Sequence, residues 1–333
     1  MSEPRFLVVR LGSLGDIVHA FPAVSGLRAS FPDAEIIWLT HPKWQFLVKA
    51  CKLPTEVWTV DSRKWPNVRS ILERIRKHPF ETAIDYQGLW KSAALPFLAR
   101  VPRRIGFSSQ TVREIGVPIL YTDRVKANAS RHIADQNGEL SLRAGANFPV
   151  GNFNLQVSDE DEQVVRARLA QEGVEAYVVL SPGGGWGSKC WPTERYGQLA
   201  AKIRDEFGLR TVINVGPGEE NLAAAVQHAA QDSQAVPFIG SLGQLMALLK
   251  NSTAVVAGDT GPLHLADALG ARVVAIFGPT DPARNGPYRR SGIVLRWEGA
   301  ATTYKREIEP DESLLHISVD EVMRALRWVR AAA

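Results

Sequence analysis

The stretch that most constrains this chain is VVAGDTGPLHLADALGARVVAIFGPTDP, residues 255–282. Two apolar runs, 254–257 and 273–277, read as buried strands, and Gly/Asp/Thr/Pro clusters follow each as loops. Between them residues 264–269 read as a helix that Gly270 closes. So short a crossover implies parallel strands with both loops at the carboxyl edge of one sheet, which places the chain in the α/β class. The first loop, Gly258-Asp259-Thr260-Gly261, brings backbone N–H groups, a hydroxyl and a helix N-terminus to one point, an arrangement suited to an anionic ligand. Asp259 fits there if it meets ribose hydroxyls or amide groups while a phosphate sits beside it. The alternative is a plain helix cap by Asp259 or Thr260.

The same alternation runs through the rest of the chain. Strands are expected at 5–10, 35–39, 57–60, 82–86 and 103–107, with helices at 17–30 and 62–78. A polar, Pro/Gly-containing linker follows at 145–158. The pattern then restarts with a helix at 158–172, strands at 177–180, 211–214 and 237–239, and helices at 195–206 and 219–230. These elements predict two Rossmann-like domains, 1–157 and 158–316, facing each other across a cleft. A terminal helix within 317–333 carries Val319, Val322, Leu326 and Val329 on one face.

Composition narrows the function. Cys51 and Cys190 are the only cysteines, too few for a disulfide framework or a zinc cluster, and a reducing cytoplasm is the expected compartment. The N-terminal segment turns polar too soon for a signal peptide, and no apolar run approaches the roughly 18 residues of a membrane-spanning helix. Charge is unevenly divided. Residues 1–157 hold 21 Lys and Arg against 13 Asp and Glu, net +8, while 158–333 hold 18 against 22, net −4. The basic half points either to an anionic partner, whether nucleic acid, an anionic lipid surface or a phosphorylated sugar, or to a merely solvated basic surface.

Site residues are expected in the carboxyl-edge loops. In the first half, the turn Leu11-Gly12-Ser13-Leu14-Gly15-Asp16 lacks the GxGxxG fingerprint, which disfavours NAD, and Asp16 stands where the first helix begins, as a reactive acid or as its N-cap. Arg63 and Lys64 precede Pro66 in a loop, Gln87 and Lys91 follow the fourth strand, and Arg113 lies in the polar loop after the fifth. In the second half, Gly183-Gly184-Gly185 leads to Lys189, a phosphate grip without Walker A order. Glu219 opens a helix after Gly216-Pro217-Gly218 and is placed to meet ribose hydroxyls. His264 is either a site residue or a structural histidine. No Asp-x-Asp or His/carboxylate cluster asks for a metal.

With these residues in place the chain resembles the ADP-heptose lipopolysaccharide heptosyltransferases, inverting glycosyltransferases of GT-B architecture. The resemblance rests on RLGSLGDIVHAFPAV (10–24), DYQGLWKSAAL (85–95), the glycine loop with Lys189-Cys190-Trp191-Pro192, GDTGPLHLADALG (258–270) and FGPTDP (277–282). QGLWKSAAL and SQTVRE look most like heptosyltransferase I, which adds the first heptose to the Kdo of lipid A. The resemblance implies Asp16 as general base. It implies a donor site for ADP-heptose with Lys189 on the diphosphate, Glu219 on the nucleoside, Asp259 on the heptose hydroxyls, and Gly184, Gly185, Thr260, Gly261 and His264 lining it. Ser13, Arg63, Lys64, Gln87, Lys91 and Arg113 would face an anionic Kdo-lipid A acceptor at the cytoplasmic face of the inner membrane, with neither a cofactor, a metal nor nucleic acid involved. It also implies a C-terminal helix that returns to the first domain. Relatives often carry cysteines after FGPTDP, and residues 291–318 contain none. A sugar-nucleotide epimerase or a ligand-closing binding protein would share the two-domain plan.

Overall fold

The computed structural model describes residues 3–112, 114–231, 235–289, 292–303 and 305–331. The chain divides into two compact units, Met1–Gln156 and Val157–Ala333. The first is built from β1 (Arg5–Val9), α1 (Leu14–Val18), α2 (Phe21–Ser30), β2 (Glu35–Thr40), α3 (Gln45–Ala50) and β3 (Glu56–Thr59). It continues through α4 (Trp65–Lys77), β4 (Thr82–Asp85), α5 (Trp90–Leu98), β5 (Arg103–Phe107), β6 (Asp123–Val125) and α6 (Ile133–Arg143). The second unit contains α7 (Asp159–Gln171), β7 (Tyr177–Ser181), α8 (Thr193–Phe207), β8 (Arg210–Asn214), α9 (Glu220–Ala230), β9 (Val236–Phe238) and α10 (Leu242–Lys250). After these come β10 (Ala254–Gly258), α11 (Gly261–Ala268), β11 (Val273–Phe277), α12 (Pro282–Asn285), β12 (Ile293–Arg296), α13 (Glu312–Leu315) and α14 (Val319–Ala331).

Each unit has one six-stranded sheet, ordered β3-β2-β1-β4-β5-β6 in the first and β12-β11-β10-β7-β8-β9 in the second. The paired strands are parallel, with Val8 opposite Trp38 and Ile84, and Val256 opposite Leu180 and Val274. Counted within each unit, both orders are the doubly wound 3-2-1-4-5-6. The order reverses between β1 and β4 and between β7 and β10, where open α/β sheets bind their ligands. Continuous burial of β7, β10 and β11, and of β1 from Phe6 onward, follows from helices on both faces.

Several elements depart from the sequence reading. The helix expected over 17–30 is two helices, α1 and α2, interrupted at His19-Ala20, with Pro22 in the first turn of α2 where its missing N–H costs nothing. Helix α6 was not expected. Its buried face mixes Ala134 and Leu140 with Gln136, Asn137, Gly138 and Ser141, so apolar periodicity is weak, and polar partners supplement it: Asn137 Nδ2 donates to His19 O (3.1 Å) and Ser141 Oγ to Ala23 O (2.8 Å). Strands β6 and β12 and helix α10 were likewise unforeseen; α10 starts on a reciprocal Ser241–Gln244 capping box. The segment read as a linker is tied to the first unit, where Gly151 N donates to Pro22 O (2.7 Å) and Gln156 N to Ala50 O (3.0 Å). Val322, Leu326 and Val329 of the terminal helix α14 join the core of the second unit against α8 and strands β10–β12.

Candidate active site

In the first unit the loops that follow β1 and β4 meet at the switch point. Ser13 is the N-cap of α1 and Asp16 occupies its third position, so Asp16 is not the cap. One Asp16 oxygen accepts from Ser13 N (3.1 Å) and Ser13 Oγ (2.7 Å), and the other meets Arg10 Nη2 at 2.7 Å. Arg10 is itself buried at the end of β1 and donates through Nη1 to Tyr86 O. This guanidinium was missed in the sequence reading; a charged residue closing an apolar strand just before a glycine turn was the available signal. The Asp16 carboxylate remains 45% exposed while held on both oxygens, which is the condition for a positioned base.

Gln87 Oε1 accepts from Leu11 N (2.8 Å) and so clamps the two loops together. Beneath it, buried Asp85 accepts from Gln87 N, Gly88 N, Ser92 Oγ and Tyr121 Oη. Burial pushes the Asp85 carboxyl up, and these four donors oppose the shift. Arg63 and Lys64 are not part of this cluster. They follow β3, two strands and roughly 10 Å of sheet away from β1, and both reach Asp61, at 3.2 and 4.0 Å, while remaining largely exposed. Lys91 is exposed in the first turn of α5. Arg113 lies outside the described residues.

In the second unit the segments after β7 and β10 pack closely. A side chain at Gly258 would come within 2.8 Å of Lys189 O, so that position demands glycine, and one at Gly184 would lie 3.0 Å from Cys190 Sγ and 3.2 Å from Thr260 Cγ2, which would have to give way slightly. Lys189 Nζ lies 2.5 Å from Asp259 Oδ2, and His264 Nε2 lies 3.1 Å from Asp259 Oδ1. Burial would raise the Asp259 carboxyl, but His264 and Lys189 outweigh it and hold the group below the ordinary carboxylate range. Helix α11 begins three residues earlier than expected. Its N-cap is Thr260, which removes Asp259 from the capping role and aims the first-turn amides from Gly261 onward into the loop region.

Glu219 Oε2 accepts from Gly216 N (2.7 Å), and its carboxylate stands against Gly183, so the loops after β7 and β8 also touch. Gly185 faces open space. Trp186, also missed in the sequence reading, is flanked by Lys189 Nζ at 4.3 Å and the Arg306 guanidinium at 5.1 Å from its ring centroid. Among the described residues no group of three or more His, Cys, Asp or Glu could hold a metal ion, and no helix is long and apolar enough to cross a membrane.

The signature of glycosyltransferase family 9 (heptosyltransferase) matches residues 68–313. Lipopolysaccharide heptosyltransferase 1 of Pseudomonas aeruginosa is 28% identical over 308 residues, covering 87% of this chain and 83% of that protein. Its Escherichia coli counterpart is 25% identical over 340 residues, covering 97% and 99%; heptosyltransferases 2 and 3 match as well. The structure of the E. coli heptosyltransferase WaaC with ADP superposes with a TM-score of 0.77 at 23% identity, covering 99% of this chain and 100% of that one. Its fold is accordingly the two-domain α/β plan of the GT-B heptosyltransferases, and by its sequence the chain belongs to glycosyltransferase family 9.

Proposed function

We propose that this protein transfers heptose from ADP-L-glycero-D-manno-heptose to the Kdo of a lipid A acceptor, with inversion and without a metal ion, at the cytoplasmic face of the inner membrane. The observation that carries the reading is the Lys189–Asp259–His264 cluster beside the N-terminus of α11, at the switch point of the second sheet. It offers a nucleoside diphosphate a cation, first-turn amides and a carboxylate for sugar hydroxyls. Lipopolysaccharide heptosyltransferases are relatives of this chain, and WaaC has been solved with ADP and with ADP-2-deoxy-2-fluoro heptose.

In the proposed reaction the Asp16 carboxylate takes the proton of the acceptor hydroxyl as its oxygen attacks the anomeric carbon. The bond from that carbon to the diphosphate breaks on the opposite face, and ADP leaves. Lys189 and the α11 amides stabilise the negative charge that develops on the departing phosphate. The direct test is ADP release from ADP-heptose with and without Kdo-lipid A. Acceptor-dependent release supports transfer; an altered sugar nucleotide without acceptor would mark an epimerase, and binding without turnover a binding protein. A chelator is expected to leave ADP release unchanged, and inhibition reversed by magnesium would transfer leaving-group stabilisation to a metal.

The acceptor side rests on the charge of the first unit. Arg63, Lys64 and Lys91 stand at the carboxyl-edge ends of β3 and β4 beside Trp65, 69% exposed, and Trp90, 44% exposed; Ile115, in the β5–β6 connection, is 95% exposed. Cations interleaved with exposed tryptophan suit the head-group level of an anionic bilayer. Acceptor KM should therefore rise steeply with salt, because exposed pairs are screened beyond a Debye length of about 8 Å at physiological ionic strength. Replacing Arg63 and Lys64 together by Ala should raise the acceptor KM and flatten its salt dependence while the donor KM changes little. Parallel salt curves for the two proteins would relocate the acceptor surface to Lys91 and Arg113.

A further inference from the structure

The Lys189–Asp259 contact poses an electrostatic problem for the donor site. Lys189 is its expected phosphate cation, yet its ammonium already rests on a carboxylate that is 5% exposed. A diphosphate arriving there meets a cation whose charge is balanced. Beyond the first-turn amides of α11, the structure brings one further cation to the Trp186 ring that Lys189 contacts.

Residues 305–311 form a strap over the glycine loop. Ser188 N donates to Glu307 O (3.1 Å), Ser188 Oγ to Lys305 O (3.3 Å), and Asp311 N to Ser188 O (3.4 Å). The approach is so close that a Cβ at Gly187 would lie 1.5 Å from Ile308 O. Just before the strap, Thr303 N donates to Pro279 O (2.7 Å), which fastens the chain to the loop after β11. The chain thus runs from the loop after β11 to the loop after β7, and it delivers Arg306 to the Trp186 ring that Lys189 also contacts. Among the described residues no carboxylate is paired with Arg306.

We propose that Arg306 is a second diphosphate-binding cation of the donor site, carried by the strap and oriented by Trp186. The assignment rests on the donor-site reading above. Arg306 supplies the uncompensated charge that Lys189 lacks, and its planar fork suits two phosphate oxygens at once. Its distance in sequence from the glycine loop made this role invisible to motif reading.

The test is calorimetric binding of ADP and of adenosine to the wild type and to Arg306→Ala, Arg306→Lys and Lys305→Ala. Arg306→Ala should bind ADP about tenfold more weakly, Arg306→Lys should lose less, and adenosine affinity should be the same in all four proteins. Lys305→Ala removes an equal charge from the same strap and should bind ADP like the wild type. Equal ADP affinities for wild type and Arg306→Ala would overturn the proposal alone, as would equal losses in Arg306→Ala and Lys305→Ala, which would reduce the effect to diffuse surface potential. A wild type that binds no ADP would overturn the donor-site reading and this proposal together. Thermal melting of each variant separates loss of contact from loss of fold, and Gly187→Ala, which displaces the strap without touching a charge, should reproduce the ADP defect of Arg306→Ala. If Gly187→Ala melts like the wild type and binds ADP unimpaired, the strap does not position Arg306 and the proposal fails.

Discussion

Asp16→Ala should lower kcat by about 10²-fold or more, with the affinity for ADP nearly unchanged. The carboxylate is held by Ser13 on one oxygen and Arg10 on the other, so its orientation is set before any acceptor arrives. In the reaction proposed above, removing it leaves the attacking hydroxyl without a proton acceptor while the donor loops of the second unit keep their residues. Asp16→Asn preserves shape but not basicity, and its amide nitrogen cannot accept from Ser13 or Arg10 as the second oxygen does; it should be as inactive as the alanine variant. The checks are single-turnover transfer rates and calorimetric ADP binding. A near-wild-type rate in either variant would remove Asp16 from the chemistry, and a large loss of ADP affinity would assign it to donor binding.

The second large effect is expected at Asp259. Its carboxylate is the counter-charge of Lys189 and a hydrogen-bond partner of His264 Nε2, with side-chain exposures of 5% for Asp259, 15% for Lys189 and 6% for His264. Asp259→Ala leaves a buried cation without its partner, which typically costs about 3–5 kcal/mol, and donor binding should fail with it. The pH dependence follows from the direction of the shift. Burial acts to raise the Asp259 carboxyl, but His264 and Lys189 hold it below its unfolded value. Its stabilisation is therefore fully present above the unfolded aspartate pKa of about 3.9 and is lost as pH falls through the lower folded value. Denaturant unfolding of wild type and Asp259→Asn should show a gap that is constant from pH 7 to about pH 4 and narrows only in stronger acid. A gap that closes between pH 7 and pH 5 would mean that another group dominates.

Some of this was legible in the residues themselves. A buried strand needs a short run of apolar, β-branched residues and a turn needs glycine, proline or aspartate, so the runs at 254–257 and 273–277 and their following loops announced parallel strands and a carboxyl-edge site without tertiary information. Asp16, Lys189 and Asp259 could be nominated because they stand in such loops. Helix α6 could not be read this way, because beside Ala134 and Leu140 it buries Gln136, Asn137 and Ser141, which donate to backbone carbonyls. Periodicity also could not say where α14 packs: an apolar face specifies burial but not the partner, and the tertiary structure gave it α8 and strands β10–β12 of its own unit. The pairings that define the site are of the same kind. Asp259 meets Lys189 across 70 positions, Arg10 meets Tyr86 across 76, and Ser188 meets the strap at Lys305 across 117. Local sequence encodes which residues stand at the end of a strand. Which of them share a charge is decided by strand order, because only the parallel pairing of β1 with β4 and of β7 with β10 brings those ends side by side.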